Sequence, residues 1–375
     1  MEKGAVSGAE PGTGLTELLP QGGDRLRRVA EFVAVPAFAL LVAAALFSAV
    51  LLGMGQSPLA FFELLWRGAF GSSFSWQNTL QRAAPLILTA LCVALPARAG
   101  LMVIGGEGAF VVGGLAAAIA PLPFLGLAPA PLLLALMAAA GMLAGALWIG
   151  LVGVLRHRRG VNETISSLLL TYIAVAVLSF LVEGPLRDPA TPNKPSTHPI
   201  GAEVMLAPIP GTSVHWGLVA GIVACVLAHL LISRTSTGFA IRIAGGNPRT
   251  ALGQGLPVGK LIVLCCLLAG GAAGLAGFFD VATVHGAANV SLVAGYGFTG
   301  ILVSFLARHN TLAIPPVAIL FGGIGAAGGL IQRRLGLPDA TVALLEGVIF
   351  VTLLTSETLY GRFALFQPRA ARSRP

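Results

Sequence analysis

Charge is what this chain has least of. Aspartate, glutamate, lysine and arginine make up 10% of its 375 residues, against roughly 25% in soluble domains. With 56% hydrophobic residues and a mean hydropathy of +0.87, the composition excludes a water-soluble globule and requires an integral membrane protein. Cysteine is scarce too. Cys92, Cys225, Cys265 and Cys266 all lie in apolar runs without C-x-x-C or Cys/His spacing, which excludes a disulfide framework and a metal cluster. No HExxH, no Ser/His/Asp arrangement and no paired carboxylates occur, so neither catalysis nor a cofactor is expected in this chain. The net charge of +8 is split among short loops and the termini, with no basic face. Nucleic acid is therefore not an expected partner, whereas acidic lipid heads of the bilayer and a cytosolic protein are.

What the chain has in abundance is long apolar runs and 49 glycines, ordinary for packed membrane helices. Spanning a bilayer takes about 17 to 25 residues. Stretches of that kind fall at 29–53, 78–97, 101–120, 131–154, 164–183, 214–233, 261–281, 292–307, 312–331 and 340–356. The expected fold is all-α, a polytopic membrane protein of about ten transmembrane helices. A Gly- and Pro-rich tail, 1–28, is expected to be disordered and cytosolic, and 357–375 to form a basic cytosolic tail around a membrane domain at 29–356. The first apolar run is too long for the core of a cleavable signal.

Basic residues orient the bundle. Arg25, Arg27 and Arg28 precede the first run, Arg98 follows the second, and Arg156, His157, Arg158 and Arg159 follow the fourth. Arg308 follows the eighth, and Arg362, Arg369, Arg372 and Arg374 close the chain. All share one side when both termini are cytosolic, with Arg333 and Arg334 as the exception. On the opposite side, 184–213 forms the longest external loop, stiffened by seven prolines. Connectors between neighbouring helices usually take about two to eight residues, so this one reads as a lid or docking surface. Small residues recur four apart at Gly141/Gly145, Gly217/Gly221, Gly270/Gly274 and Gly325/Gly329, all read as helix packing.

The cytosolic segment 234–260 carries the most specific local signal. Asn247 suits a helix cap, Pro248 the first helical position, and Gly253 and Gly255 a left-handed stop. Together they predict a helix of about two turns, too short to stand alone. Arg249 sits in its first turn, where the helix dipole disfavours a cation. That charge therefore serves something outside the helix, as positive-inside bias explains the cations but not the capped helix between them.

Two motifs are decoys. Gly295–Gly300, GYGFTG, fits G-x-G-x-x-G but lacks the flanking strand and the later acidic residue. Gly253–Leu261 has a misplaced first glycine and no magnesium-binding hydroxyl, so the chain has no ATP site of its own. Polar groups within apolar runs remain. Glu107 among glycines, Glu346 in the last run and Asp280 near the end of the seventh are candidate pathway residues, each also open to structural pairing. His229 and His285 read as interfacial histidines. Asn162 and Glu163 read as a cap and a favourable charge at a helix start.

Five segments then become familiar in combination. They are GGEGAFVVGG, RRGVNETISSLLLTYIA, EGPLRDP, GFAIRIAGGNP, and AGYGFTGILVSFLARHN followed by ILFGGIGAAGG. From about Gln77 to Leu354 they resemble the permease subunit of bacterial ABC importers for nucleosides and simple sugars, a branch related to ribose and branched-chain amino-acid permeases. The chain departs from that pattern at Val103, Ala109 and Thr171, where the family often carries amides, leaving fewer hydrogen bonds for a polyhydroxylated ligand. Thr171 thereby joins Glu107, Asp280 and Glu346 as a candidate pathway residue. The resemblance implies a non-catalytic translocation subunit in the cytoplasmic membrane, with ATP hydrolysed by partner ATPase subunits. It further implies a second permease subunit, identical or paralogous, and an external binding protein or lipoprotein that delivers solute to 184–213. Arg242, Asn247, Pro248 and Arg249 would couple to the ATPase. A nucleoside is the expected solute, with a simple sugar as the alternative. An ion-coupled secondary transporter is the rival reading, and it would call for an inverted repeat.

Overall fold

In lipid, a chain must satisfy its own backbone hydrogen bonds, and long apolar runs do so as helices. A computed structural model describes residues 22–191, 193–338 and 340–357. Among these the regular elements are helical, apart from one isolated bridge between Ser196 and Asn289. In chain order they are α1 (Gly22–Gly53), α2 (Pro58–Phe70), α3 (Ser73–Arg98), α4 (Gly106–Ile119), α5 (Ala130–Arg159), α6 (Glu163–Glu183) and α7 (Gly217–Arg234). There follow α8 (Ser236–Gly246), α9 (Pro248–Gly253), α10 (Val258–Asp280), α11 (Tyr296–Leu306), α12 (Ile314–Leu335) and α13 (Ala340–Glu357). Among the described residues seven helices are long and apolar enough to cross a membrane, or eight if Ala37–Gly53 and Pro58–Phe70 count as one broken span. The expected tails lie mostly outside the described residues, though 22–28 already belong to α1.

Residues 51–346 form one compact unit; the described residues up to 50 and from 347 onward belong to another. Within the larger unit, α3 and α10 are central. From Ala83 to Pro96 every residue of α3 is buried, and the helix packs on α2, α7, α10, α11 and α12. Glycine lets α10 lie directly on α5. A Cβ at Gly145 would collide with the Gly270 carbonyl, and one at Gly274 with the Gly141 carbonyl. These two small-residue pairs are thus faces of one contact, and Gly221 does the same against Ile87 of α3. Gly325 and Gly329 are different: their Cβ positions meet nothing closer than 3.7 Å, so close helix packing is not why they are glycines.

Three expectations need correction. The run 101–120 becomes helical only at Gly106, and 292–307 yields a helix of 11 residues starting at Tyr296. The connector after α1 contains a further helix, α2, opened by Ser57 and by Pro58 at its first position. At 13 residues it is too short to register as a span. It is nonetheless integral, because Gly68 sits where a Cβ would come 2.8 Å from the Ala327 backbone of α12.

The proline-rich loop 184–213 is tied down along its length. Thr197 N–H donates to Ala288 O at 2.9 Å, Ile200 N–H to Gly286 O at 2.9 Å and Leu206 N–H to Ala282 O at 2.9 Å. At its far end Gln77 accepts from both the N–H and the hydroxyl of Ser213 at 2.8 Å. Ile200 and Val204 contribute to the buried apolar cluster shared by α4, α5, α6 and α10.

Candidate functional site

The segment 234–260 was expected as a loop holding one short helix; it holds two. Thr235 opens α8 by accepting from Gly238 N–H at 3.0 Å. That helix then buries Gly238, Ala240, Ile241 and Ala244. Its last turn presses on the end of α3, where a Cβ at Gly245 would strike the Arg98 carbonyl. Glycine-rich composition hid α8 from the sequence reading; the Thr235 cap was the available signal. Asn247 joins the two helices. Its N–H donates back to Ile243 O at 3.0 Å, while its side-chain oxygen accepts from Arg249 N–H at 3.1 Å and Thr250 N–H at 3.2 Å. Pro248 takes the first helical position of α9, and Gly255 ends the turn at φ +76°. Only Ala251 of α9 is buried. Arg242, Asn247, Pro248 and Arg249 are exposed, as is Leu252. Arg249 makes no ion pair among the described residues.

The four candidate pathway residues do not meet in one place. Glu107 is fully buried in the first turn of α4, and its carboxylate accepts from Gly295 N–H at 2.8 Å and Gly297 N–H at 2.5 Å. It therefore fastens the start of α11, where Gly295 sits at φ +81° and Gly297 leaves room for no Cβ beside Glu107. This is the physical reason for the first two glycines of GYGFTG; the third, Gly300, lies against Thr89 and Ala90 of α3. Thr171 is buried, donates to Ser167 O at 3.1 Å and lies against Gly108 of α4. Its hydroxyl proton is directed within its own helix. Asp280 Oδ2 is buried and lies 3.2 Å from His285 Nε2. Asn162 and Glu163 behave as read: the amide oxygen caps α6, and the carboxylate pairs with Arg156 at 3.3 Å.

Glu346 alone of the four lines a polar cavity, about 160 Å³, together with Arg82, Tyr296, Thr299, Leu86 and Phe321. Thr299 donates to its carboxylate at 2.9 Å. A larger cavity of about 650 Å³ between α3, α5, α7 and α10 is lined by apolar residues, among them Leu91, Leu227 and Leu268. It offers a polar solute no hydrogen bond.

The sequence pattern that defines the branched-chain amino acid transport system / permease component family matches residues 75–354. The chain belongs to this family of permeases. It is 30% identical over 347 residues to the glucose ABC transporter permease protein TsgB13 of Haloferax volcanii, covering 89% of this chain and 90% of that one. Over 329 residues it is 30% identical to the guanosine ABC transporter permease protein NupP of Bacillus subtilis, covering 86% and 93%. The nucleoside ABC transporter permease protein NupB of Lactococcus lactis is 28% identical over 331 residues, covering 84% and 89%.

Two features of this permease escaped the sequence reading. Arg82, Tyr296 and Thr299 join Glu346 only through the packing of α3 against α11 and α12, which no local pattern announces. At the other end of α11, Arg308 and His309 both adopt positive φ, 53° and 54°. Left-handed backbone costs a residue with a Cβ roughly 1–2 kcal/mol. Arg98 holds this turn, donating to His309 O from Nε at 3.0 Å and Nη2 at 2.7 Å. The same α3 end that receives α8 thus also grips the turn after α11.

Proposed function

We propose that this permease is the membrane subunit of an ATP-driven importer in a bacterial cytoplasmic membrane, moving a nucleoside or, as the alternative, a simple sugar. The observation that carries the reading is the Asn247-capped α9, exposed on all but Ala251 and bearing Arg249 against its own dipole. A short helix whose misplaced cation makes no ion pair among the described residues is built for a partner surface of opposite charge. That partner is an ATPase subunit, which supplies the catalysis this chain lacks. Arg242, Asn247, Pro248 and Arg249 form the contact. Movement of α9 reaches α11 through the shared end of α3, where Gly245 and His309 both meet Arg98. A partner's nucleotide does work on the permease only through contacts that differ between its two conformations.

The solute class is taken from relatives named for guanosine, nucleosides and glucose, neutral polyhydroxylated molecules. Glu346 belongs to the pathway, whereas Glu107, Thr171 and Asp280 shape it from behind. Ten spans follow when the broken pair and the two shorter apolar helices, Val290–Leu306 and Ala340–Ser356, are added to the seven long ones. Both tails, 1–28 and 357–375, and the 234–260 elbow face the cytosol. The tethered 184–213 loop faces outward and receives a binding protein or lipoprotein. A second permease subunit completes the pathway. Arg249→Glu tests the contact: the variant is expected to insert normally yet co-purify poorly with the ATPase. Assembly and transport equal to wild type would reduce Arg249 to positive-inside charge and defeat the reading.

A further inference from the structure

We propose that the apolar groove between α3, α5, α7 and α10 seats one anionic phospholipid, with an acyl chain in the groove and the phosphate on Arg234 and Lys260. The groove is lined by apolar residues throughout, so water gains no hydrogen bond by entering it. It opens sideways. Two lining residues, Leu143 of α5 and Leu227 of α7, are 63% and 60% exposed, which places the opening between these helices on the apolar outside of the bundle. Helix α7 packs on α3 and α8, whereas α5 packs on α10 and α4. In a bilayer the space between them faces hydrocarbon.

Charge at the foot of the groove names the occupant. Helix positions seven apart share a face to within about 20°. Seven residues beyond Leu91 of α3 comes Arg98, seven beyond Leu227 of α7 comes Arg234, and seven before Leu267 of α10 comes Lys260. Three groove-facing registers thus each reach a cation, at the end of the bundle where α8 packs on these same helices. On α5 the corresponding place belongs to His157, which packs on Gly259 of α10. Arg98 is committed to the His309 carbonyl. Arg234 and Lys260 are exposed and make no ion pair among the described residues. Glu163, a carboxylate at the same end, is taken up by Arg156 at 3.3 Å. Depth agrees with a lipid chain. Leu231 stands about 4.5 Å before Arg234 along α7, and the lining runs on to Ala224 over about 10 Å more. The hydrocarbon of one leaflet is about 15 Å deep. The groove therefore starts near headgroup level and runs through most of a leaflet. A helix from a second copy of the chain would cover the lining but leave both cations unanswered. Because α7 ends at Arg234 and α8 begins at Ser236, the lipid braces the helix that carries the α8–α9 elbow.

The test is native mass spectrometry of the full-length permease released from vesicles of phosphatidylglycerol and phosphatidylcholine in equal amounts. One phosphatidylglycerol should stay bound, preferred over phosphatidylcholine by at least about fivefold, the worth of one basic residue at a membrane surface. Arg234→Gln combined with Lys260→Gln should bring that ratio close to parity. Arg158→Gln combined with Arg159→Gln removes as much charge from exposed positions at the same end, off the groove-facing register of α5, and should leave the ratio unchanged. Ala224→Trp fills the groove and should lose both lipids. If it fails to insert, the two charge pairs, all exposed, carry the comparison. A wild type without preference, or equal losses in the two charge pairs, would reduce the cations to a general positive surface and overturn the site. A tryptophan variant that keeps its lipid would overturn it too. A lipid-free dimer of the wild type, split by Ala224→Trp, would give the groove to a second copy instead. None of these outcomes involves transport, so the site stands or falls apart from the importer reading.

Discussion

Replacing Glu107 with glutamine keeps the side chain's shape and removes one acceptor. In the folded chain its two oxygens receive Gly295 N–H at 2.8 Å and Gly297 N–H at 2.5 Å, with no solvent access. Hydrogen bonds to a charged group are worth about 1.5–3 kcal/mol each, and an orphaned buried donor costs about 1–3 kcal/mol. Glutamine can satisfy one N–H with its carbonyl but must turn its own NH₂ toward the other. The expected loss is therefore about 2–4 kcal/mol, taken from the start of α11. Thermal unfolding of the purified variant, followed by tryptophan fluorescence, should shift down by several degrees. Uptake should fall with it, because Tyr296 and Thr299 lose their fixed turn. Glu107→Asp, a methylene shorter but still charged, should fall between. If Glu107→Gln unfolded and transported like wild type, the fastening role would be refuted. Undiminished stability with lost uptake would instead mean that Glu107 meets the solute itself.

Asn247→Ala removes the acceptor that opens α9 and should cost about 0.5–2 kcal/mol of local helix stability; uptake should drop while membrane insertion, read by quantitative blotting, stays normal. Cysteine at exposed Lys194 should react with an impermeant thiol reagent on intact cells and cysteine at exposed Ser236 should not, the four native thiols being buried; labelling at 236 from outside would reverse the orientation. Burial, and then the charge of Arg98, push the His309 imidazole down to about 4 from its usual 6.5. With the folded value below the unfolded one, this neutral ring's contribution is whole above about pH 6.5 and is lost as the pH falls toward 4, roughly 3 kcal/mol in all. Unfolding temperature should decline across that window, and His309→Gln should flatten the decline.

Composition and hydropathy made the helical membrane class legible, and local chemistry made the caps legible. Asn247 and Pro248 occupy the cap and first position expected of them; of the two glycines expected as a stop, Gly255 takes the left-handed backbone, whereas Gly253 is the last residue of α9 and does not. Asn162 likewise caps α6. These motifs are set by residues within a few positions of one another, so the sequence displays them directly. What could not be read depends on distant packing. The carboxylate of Glu107 finds its partners about 190 positions away, and Arg82 joins Glu346 only in the folded bundle. The small-residue pairs show the same limit. Gly141/Gly145 and Gly270/Gly274 have the spacing of Gly325/Gly329, yet the first two press backbones together while Gly325 borders a cavity. Helices α2 and α8 were missed because 13 and 11 residues fall short of a span, and only their caps, Ser57 and Thr235, mark them.

Dependence of transport on a partner's nucleotide is the central claim, and proteoliposomes test it most directly. Permease, ATPase subunits and binding protein are reconstituted together, and entry of labelled nucleoside is followed with and without ATP and with an ion gradient alone. ATP-dependent entry, abolished when the ATPase is omitted or Arg249 is replaced by Glu, is the predicted result. Entry driven by an ion gradient through the purified permease alone would contradict it.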